Sequence, residues 1–181
     1  MTIKLKAPFP YFGGKSRVAA QVWERFGHVQ NYVESFFGSG AVLLGNPAGS
    51  CKIETVNDLD GYVCNFWRAV RADPDAVAEH ASWPVNELDL HARHRFLIQS
   101  KREFAERLRN DPDLYDVKLA GWWVWGLSCW IGDNWSRDAP QDAPQDALPK
   151  MAWPPRFVSI RRPRRWTRKR IDGRDSVASI D

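Results

Sequence analysis

Two glycines, Gly38 and Gly40, stand between an apolar run that starts near Tyr32 and a second one that ends in Asn57 and Asp58. The local order is Tyr32, Val33, Glu34, Ser35, Phe36, Phe37, Gly38, Ser39, Gly40, and the acidic residue follows the turn by about 20 positions. A strand that ends in glycines turns tightly enough for its backbone to approach a ligand. The helix after it opens with unpaired N–H groups, and a carboxylate at that distance can accept hydrogen bonds from ribose hydroxyls. The spacing predicts a nucleoside-binding βαβ unit, and with it an α/β fold.

The flanking pattern fills in the rest. Val18, Ala19, Val22, Trp23 and Phe26 recur at helical spacing over residues 15–26, ahead of Gly27 as a C-terminal cap. Residues 31–36 read as a strand, 39–44 as a helix opening from the glycine turn, and 51–56 as a second strand carrying β-branched Ile53, Thr55 and Val56. Residues 60–71 read as a helix with Val63, Phe66, Trp67 and Val70 on one face, stopped at Asp73-Pro74 because the residue before proline avoids the α region. A long amphipathic helix is expected over 86–109, from Leu90, His94, Leu97, Ile98, Phe104 and Leu108 against a charged background. Residues 119–131 crowd Trp122, Trp123, Trp125 and Trp130 into a segment with almost no charge, which reads as a helix buried on most sides.

At 181 residues and 44% hydrophobic, the chain is long enough for one domain with a substantial core. The repeat Asp-Ala-Pro-Gln at 138 and again at 142 cannot bury anything and reads as a linker over 136–150. The expected organisation is a domain over 1–135, that linker, and a basic tail over 151–181. Charge supports the division: residues 156–181 hold nine Lys/Arg against three Asp/Glu, whereas residues 1–155 hold 17 against 19. The domain has no positive excess of its own for phosphates.

Cys51, Cys64 and Cys129 form no Cys-x-x-Cys pair and are odd in number, which argues against a zinc ribbon or a secreted disulfide framework. A reducing cytoplasm is the expected compartment. No stretch reaches the roughly 18 apolar residues of a membrane span. His91 and His94 share a helix face, but no further ligand is placed by sequence to complete a metal site, so none is expected.

Three elements in order, Tyr11 with Gly13, Gly14 and Lys15, then Glu34 through Gly40, then Asn57-Asp58 with Asn65-Phe66 downstream, resemble the Dam-like DNA adenine-N6 methyltransferases. The resemblance spans residues 7–135 and implies a Rossmann-like methyltransferase sheet, here truncated, with a Trp-rich helical insert, S-adenosylmethionine as cofactor and DNA as partner. It further implies that Gly13 and Gly14 let the N-terminal loop approach the cofactor while Lys15 reaches its carboxylate. Gly38 and Gly40 would contact the methionine part through the backbone, and Asp58 would take the ribose hydroxyls. Glu34 is expected either to meet the cofactor ammonium or to cap the sheet end, and Phe36 and Phe37 either to flank adenine or to belong to the core. Each glycine element also has a plain reading, as a strand-to-helix turn or a helix N-terminus with a solvated lysine.

One part of the pattern is missing. The family's catalysis depends on an Asp-Pro-Pro-Tyr motif that holds the adenine amino group and stacks on the flipped base, and the sequence contains none. Asp133-Asn134-Trp135, a polar pair before an aromatic, reads more simply as a loop cap. Three readings follow. The chain is a working methyltransferase with an unusual catalytic element, either its own or completed by a second chain; or it is a non-catalytic, methyltransferase-derived binding protein, such as a phage or mobile-element inhibitor of a nucleic-acid defence system; or its tail binds nucleic acid whatever the domain does. In the third, Arg161, Arg162, Arg164, Arg165, Trp166 and Arg168 neutralise phosphates and stack on a base. Against it stands a bland alternative, that such a tail is also what a shifted reading frame of a GC-rich gene encodes.

Overall fold

A computed structural model of the chain describes residues 5–11, 13–131 and 135. Its elements run β1 (Asn31–Glu34), β2 (Ile53–Val56) and α1 (Ala19–Phe26), α2 (Ala41–Leu44), α3 (Gly61–Ala72), α4 (Pro74–Ala81), α5 (Glu87–Asn110) and α6 (Val117–Cys129), with one 3-10 turn at Lys15–Arg17. The described part is a helix-rich α/β structure with a small parallel sheet of two strands. The expected linker and tail lie outside the described residues.

The sheet is parallel and in register, Asn31 opposite Ile53 through Glu34 opposite Val56. The ladder outlasts the strands: Asn57 N–H donates to Glu34 O at 2.9 Å, and Phe37 N–H to Asn57 O at 2.9 Å. One residue beyond that bond lie Gly38 on one strand and Asp58 on the other. Register alone thus brings two groups 20 positions apart side by side.

One sheet face packs on α1 and α2. Trp23 of α1 stacks on Tyr32 with ring centroids 5.2 Å apart, and its indole N–H donates to Val42 O at 2.6 Å. Ala19, Trp23, Tyr32 and Val42 form this small core. Val18 and Phe26, expected on the buried face, are exposed, because a four-residue α2 is too short to cover the whole of α1. The opposite face, carrying Val33 and Ile53, is exposed, as is every residue of β2.

The main core lies between α3, α4, α5 and α6 and is built on Tyr62, Val63, Phe66, Leu90, Leu97, Phe104 and Trp123. Asn65, fully buried, clamps the start of α6: its amide donates to Asp116 O at 2.9 Å and accepts from Asp116 N at 2.7 Å. Asp116 then caps α6 by accepting from Leu119 N at 2.8 Å. Arg68 of α3 donates to the carbonyls of Leu108, Asp111 and Leu114, satisfying groups left open where α5 ends.

Helix α4 is absent from the sequence expectation. Asp73-Pro74 does end α3, but Asp73 also accepts from Ala76 N at 3.0 Å as an N-cap and Pro74 occupies the first turn, so the same dipeptide starts a new helix. Its neighbour α6 comes so close at Gly121 that a Cβ there would overlap His80. Trp135, read from the sequence as part of a loop cap, belongs to the core: it is buried against Gly126 and donates to Trp123 O at 2.9 Å. No described helix is long and apolar enough to cross a membrane.

Candidate functional site

Where the glycine turn leaves β1, the backbone needs conformations that other residues rarely adopt. Gly38 has φ +53° and Gly40 φ +66°. At Gly38 a Cβ would also strike the Tyr11 ring, at 2.8 Å, and at Gly40 it would strike Phe37 and Trp67, at 2.9 and 3.1 Å. The turn is held by three contacts. Gly38 N–H donates to Asp58 Oδ2 at 2.7 Å, Trp67 indole N–H donates to Gly38 O at 2.9 Å, and Gly40 N–H closes on Phe37 O at 3.0 Å. Asp58 Oδ1 meanwhile accepts from Asp60 N at 3.0 Å, and Asp60 caps α3 through Tyr62 N at 2.8 Å. One carboxylate therefore ties the glycine loop to the start of the helical half.

A cavity of about 180 Å³ opens here, lined by Tyr11, Gly13, Gly14, Lys15, Phe36, Phe37, Gly38, Ser39, Ala41 and Asp58. Seven of the nine residues expected at a cofactor site line it, from three separate stretches of sequence. The N-terminal stretch turns at Gly14, whose N–H donates to Tyr11 O at 2.8 Å, and this brings Lys15 to the rim. The Lys15 ammonium sits 2.8 Å from Glu34 Oε1 and also donates to Phe36 O.

Two expected residues do not line the cavity. Glu34 lies behind Lys15, buried, with its second oxygen accepting from Tyr32 Oη at 2.7 Å. Gly40 is packed under Phe37 and Trp67 and supports the turn from below. The two phenylalanines divide: Phe37 is core, its ring 5.0 Å from that of Trp67, while Phe36 is 80% exposed at the rim.

Burial and the bond to Glu34 push the Tyr32 hydroxyl well above the usual tyrosine range, so it remains a donor to that carboxylate. Burial, and after it the nearby Asp58 carboxylate, raises the Cys64 thiol, whose Sγ donates to Asp58 O at 3.4 Å. The cavity lining thus combines a cation, Lys15, backed by a buried carboxylate, with an anion, Asp58, that is tied to the glycine turn.

Sequence reasoning missed Trp67 and Tyr32 as parts of this site. Trp67 was assigned only to a buried helix face, though a lone indole N–H near a glycine turn needs an acceptor and Gly38 O is in reach. Tyr32 gave a signal, since on a strand it faces the same side as Glu34 two residues on. The arginines expected to contact nucleic acid, Arg161, Arg162, Arg164, Arg165 and Arg168 with Trp166, lie outside the described residues. Among the described residues no three His, Cys, Asp or Glu side chains group closely enough to hold a metal ion.

No curated protein and no solved structure matches the chain. A family model does: that of the D12 class N6 adenine-specific DNA methyltransferases matches residues 11–118. The matched segment contains every cavity-lining residue together with α3, α4 and α5. Members of this family use S-adenosylmethionine and act on DNA, and a match over more than half of the sequence makes this chain a member of the D12 class of adenine-N6 DNA methyltransferases.

Proposed function

We propose that the cavity between Lys15, the glycine turn and Asp58 binds S-adenosylmethionine in a Rossmann-like arrangement, and that this chain does not methylate DNA alone. The observation that carries the first half is the 2.7 Å bond from Gly38 N–H to Asp58 Oδ2 at the cavity wall, which sets the turn and the acid against each other. Asp58 Oδ1 and Oδ2 each use one lone pair on the protein, and a carboxylate has more acceptor positions than two, so ribose hydroxyls can bond there without breaking the turn. Lys15 would take the ligand carboxylate, held in place by the buried Glu34 carboxylate behind it.

Size is consistent with partial enclosure. Pockets that engulf a whole ligand of this class run to roughly 300 Å³ and more, whereas this one measures about 180 Å³. The adenine would then lie partly outside, against the exposed ring of Phe36. Bound there, the cofactor would supply a methyl group on a positive sulfur. The chain's own residues orient it and neutralise its carboxylate.

The second half rests on the sequence, which has no Asp-Pro-Pro-Tyr to receive the adenine amino group. Calorimetry with S-adenosylmethionine on wild type and Asp58→Ala tests the binding claim; no heat from the wild type removes it. Labelled donor incubated with unmethylated DNA tests the other, and clear incorporation by this chain alone refutes it.

A specific observation favours a partner as well. Parallel sheets are ordinarily covered on both faces and an isolated strand pair is marginal in water, yet Val33 and Ile53 are 68% and 54% exposed and all of β2 is open. A second polypeptide that covers this sheet would either complete a methyltransferase or be the target of a non-catalytic binding protein, such as a phage or mobile-element inhibitor of a nucleic-acid defence system. The tail arginines would add affinity for phosphates. Deleting residues 156–181 would then flatten the salt dependence of DNA binding.

A further inference from the structure

Between α2 and the cavity rim runs a chain of contacts made of hydrogen bonds, one ring stack and an ion pair. It starts at Val42 O, which accepts from Trp23 Nε1 at 2.6 Å; the Trp23 ring stacks on Tyr32; Tyr32 Oη donates to Glu34 Oε2 at 2.7 Å; and Glu34 Oε1 holds Lys15 at 2.8 Å. Tyr32 is 4% exposed and Glu34 7%, while Lys15 is about one third exposed. The carboxylate is thus held from one side by a buried ring hydroxyl, and its other oxygen meets the partly exposed lysine.

From this geometry we infer that Tyr32 is a positioning residue, which fixes the buried Glu34 carboxylate so that Glu34 in turn holds the Lys15 ammonium at the rim towards the carboxylate of the amino-acid end of the ligand. The inference rests on the cofactor reading above and adds the element that sets selectivity for that end over the nucleoside. Without the hydroxyl, Glu34 Oε2 would be a buried acceptor with no donor, and its side chain would be free to turn its other oxygen away from Lys15. A phenylalanine keeps the stack on Trp23, so Tyr32→Phe tests the hydroxyl and spares the packing.

A pair of ligands separates this role from general damage. S-adenosylmethionine carries the amino-acid end; 5′-methylthioadenosine has the same nucleoside and sulfur without it. Titration of both into wild type and Tyr32→Phe should show the first weakened about tenfold, the value of one hydrogen bond to a charged group, and the second unchanged. In Glu34→Gln the first ligand should weaken similarly, and adding Tyr32→Phe to it should cost little more, because the two side chains act as one unit. Equal weakening of both ligands, no weakening of either, or additive losses in the double variant would overturn the assignment of Tyr32 and leave the cofactor reading standing. Binding of neither ligand by the wild type would instead overturn the cofactor reading, and this assignment with it.

Discussion

Replacing Asp58 with asparagine keeps its shape and removes its charge, and the geometry says what that does before any ligand is added. Asp58 accepts from Gly38 N at 2.7 Å through one oxygen and from Asp60 N at 3.0 Å through the other. Asparagine has a single oxygen, so whichever way its amide turns, its NH₂ faces one of these two N–H groups. One bond to a charged acceptor is lost, worth about 1.5–3 kcal/mol, and the lower end applies because Asp58 is partly open to solvent. For a chain of this size about 1.5 kcal/mol lowers Tm by roughly 3–6 °C. Asp58→Ala abandons both bonds and should fall roughly twice as far. Thermal unfolding followed by circular dichroism at neutral pH, without ligand, reads both numbers. If both variants melt together with the wild type, the carboxylate does not hold the glycine turn.

Three further outcomes follow from particular contacts. Gly40→Ala must place a Cβ at φ +66° into the rings of Phe37 and Trp67, so a loss of at least about 1–3 kcal/mol is expected in denaturant unfolding, together with weaker ligand binding. Asn65→Ala strips both bonds from the Asp116 backbone inside the core and should cost about 2–4 kcal/mol, seen as a lower denaturation midpoint with unchanged slope. His94 stacks against both Trp130 and Trp135, and burial, with His91 beside it, holds its pKa below the free value of about 6.5. A depressed value means that the unfolded chain binds the proton first, so stability is complete above about pH 6.5 and declines as pH falls towards the folded value. His94→Phe should flatten that decline in melts run from neutral to mildly acidic pH.

Local signals carried most of the fold that was legible in the sequence. The strands, α3, α5 and α6 follow from apolar period and caps, and the boundaries differ by a residue or two where helices fray or cap. Helix α4 was missed because Asp73-Pro74 carries two opposite meanings, and only the packing of Val77 and Gly121 decides between them. The exposure of Val18 and Phe26 was missed because periodicity marks the face a helix offers, and says nothing of how much neighbour there is to cover it. For the site, glycine and acid spacing pointed to Gly38 and Asp58, and the family resemblance added Tyr11, Gly13, Gly14, Lys15 and Phe36; these seven share one cavity. The supporting layer was invisible: Trp67 meets Gly38 across 29 positions, and no periodic pattern encodes a contact that depends on how α3 packs against a turn.

The tryptophans of α6, read from the sequence as a helix buried on most sides, are largely core in the structure. Trp123 is buried against Phe9 and Phe66, and Trp125 donates to Trp83 O at 2.8 Å. Arg93 lies among Trp83, Trp122 and Trp125, closest to the last at 4.4 Å from the ring centroid, so the positive charge in this segment is spent on packing.

The most direct test of the central claim is an amide-resolved titration of the wild-type chain with S-adenosylmethionine by heteronuclear NMR. Gly38, Ser39, Asp58 and Lys15 signals should shift and saturate together with one dissociation constant, while signals from the middle of α5 stay still. A titration that leaves these four in place, or that moves only residues remote from the turn, would contradict it.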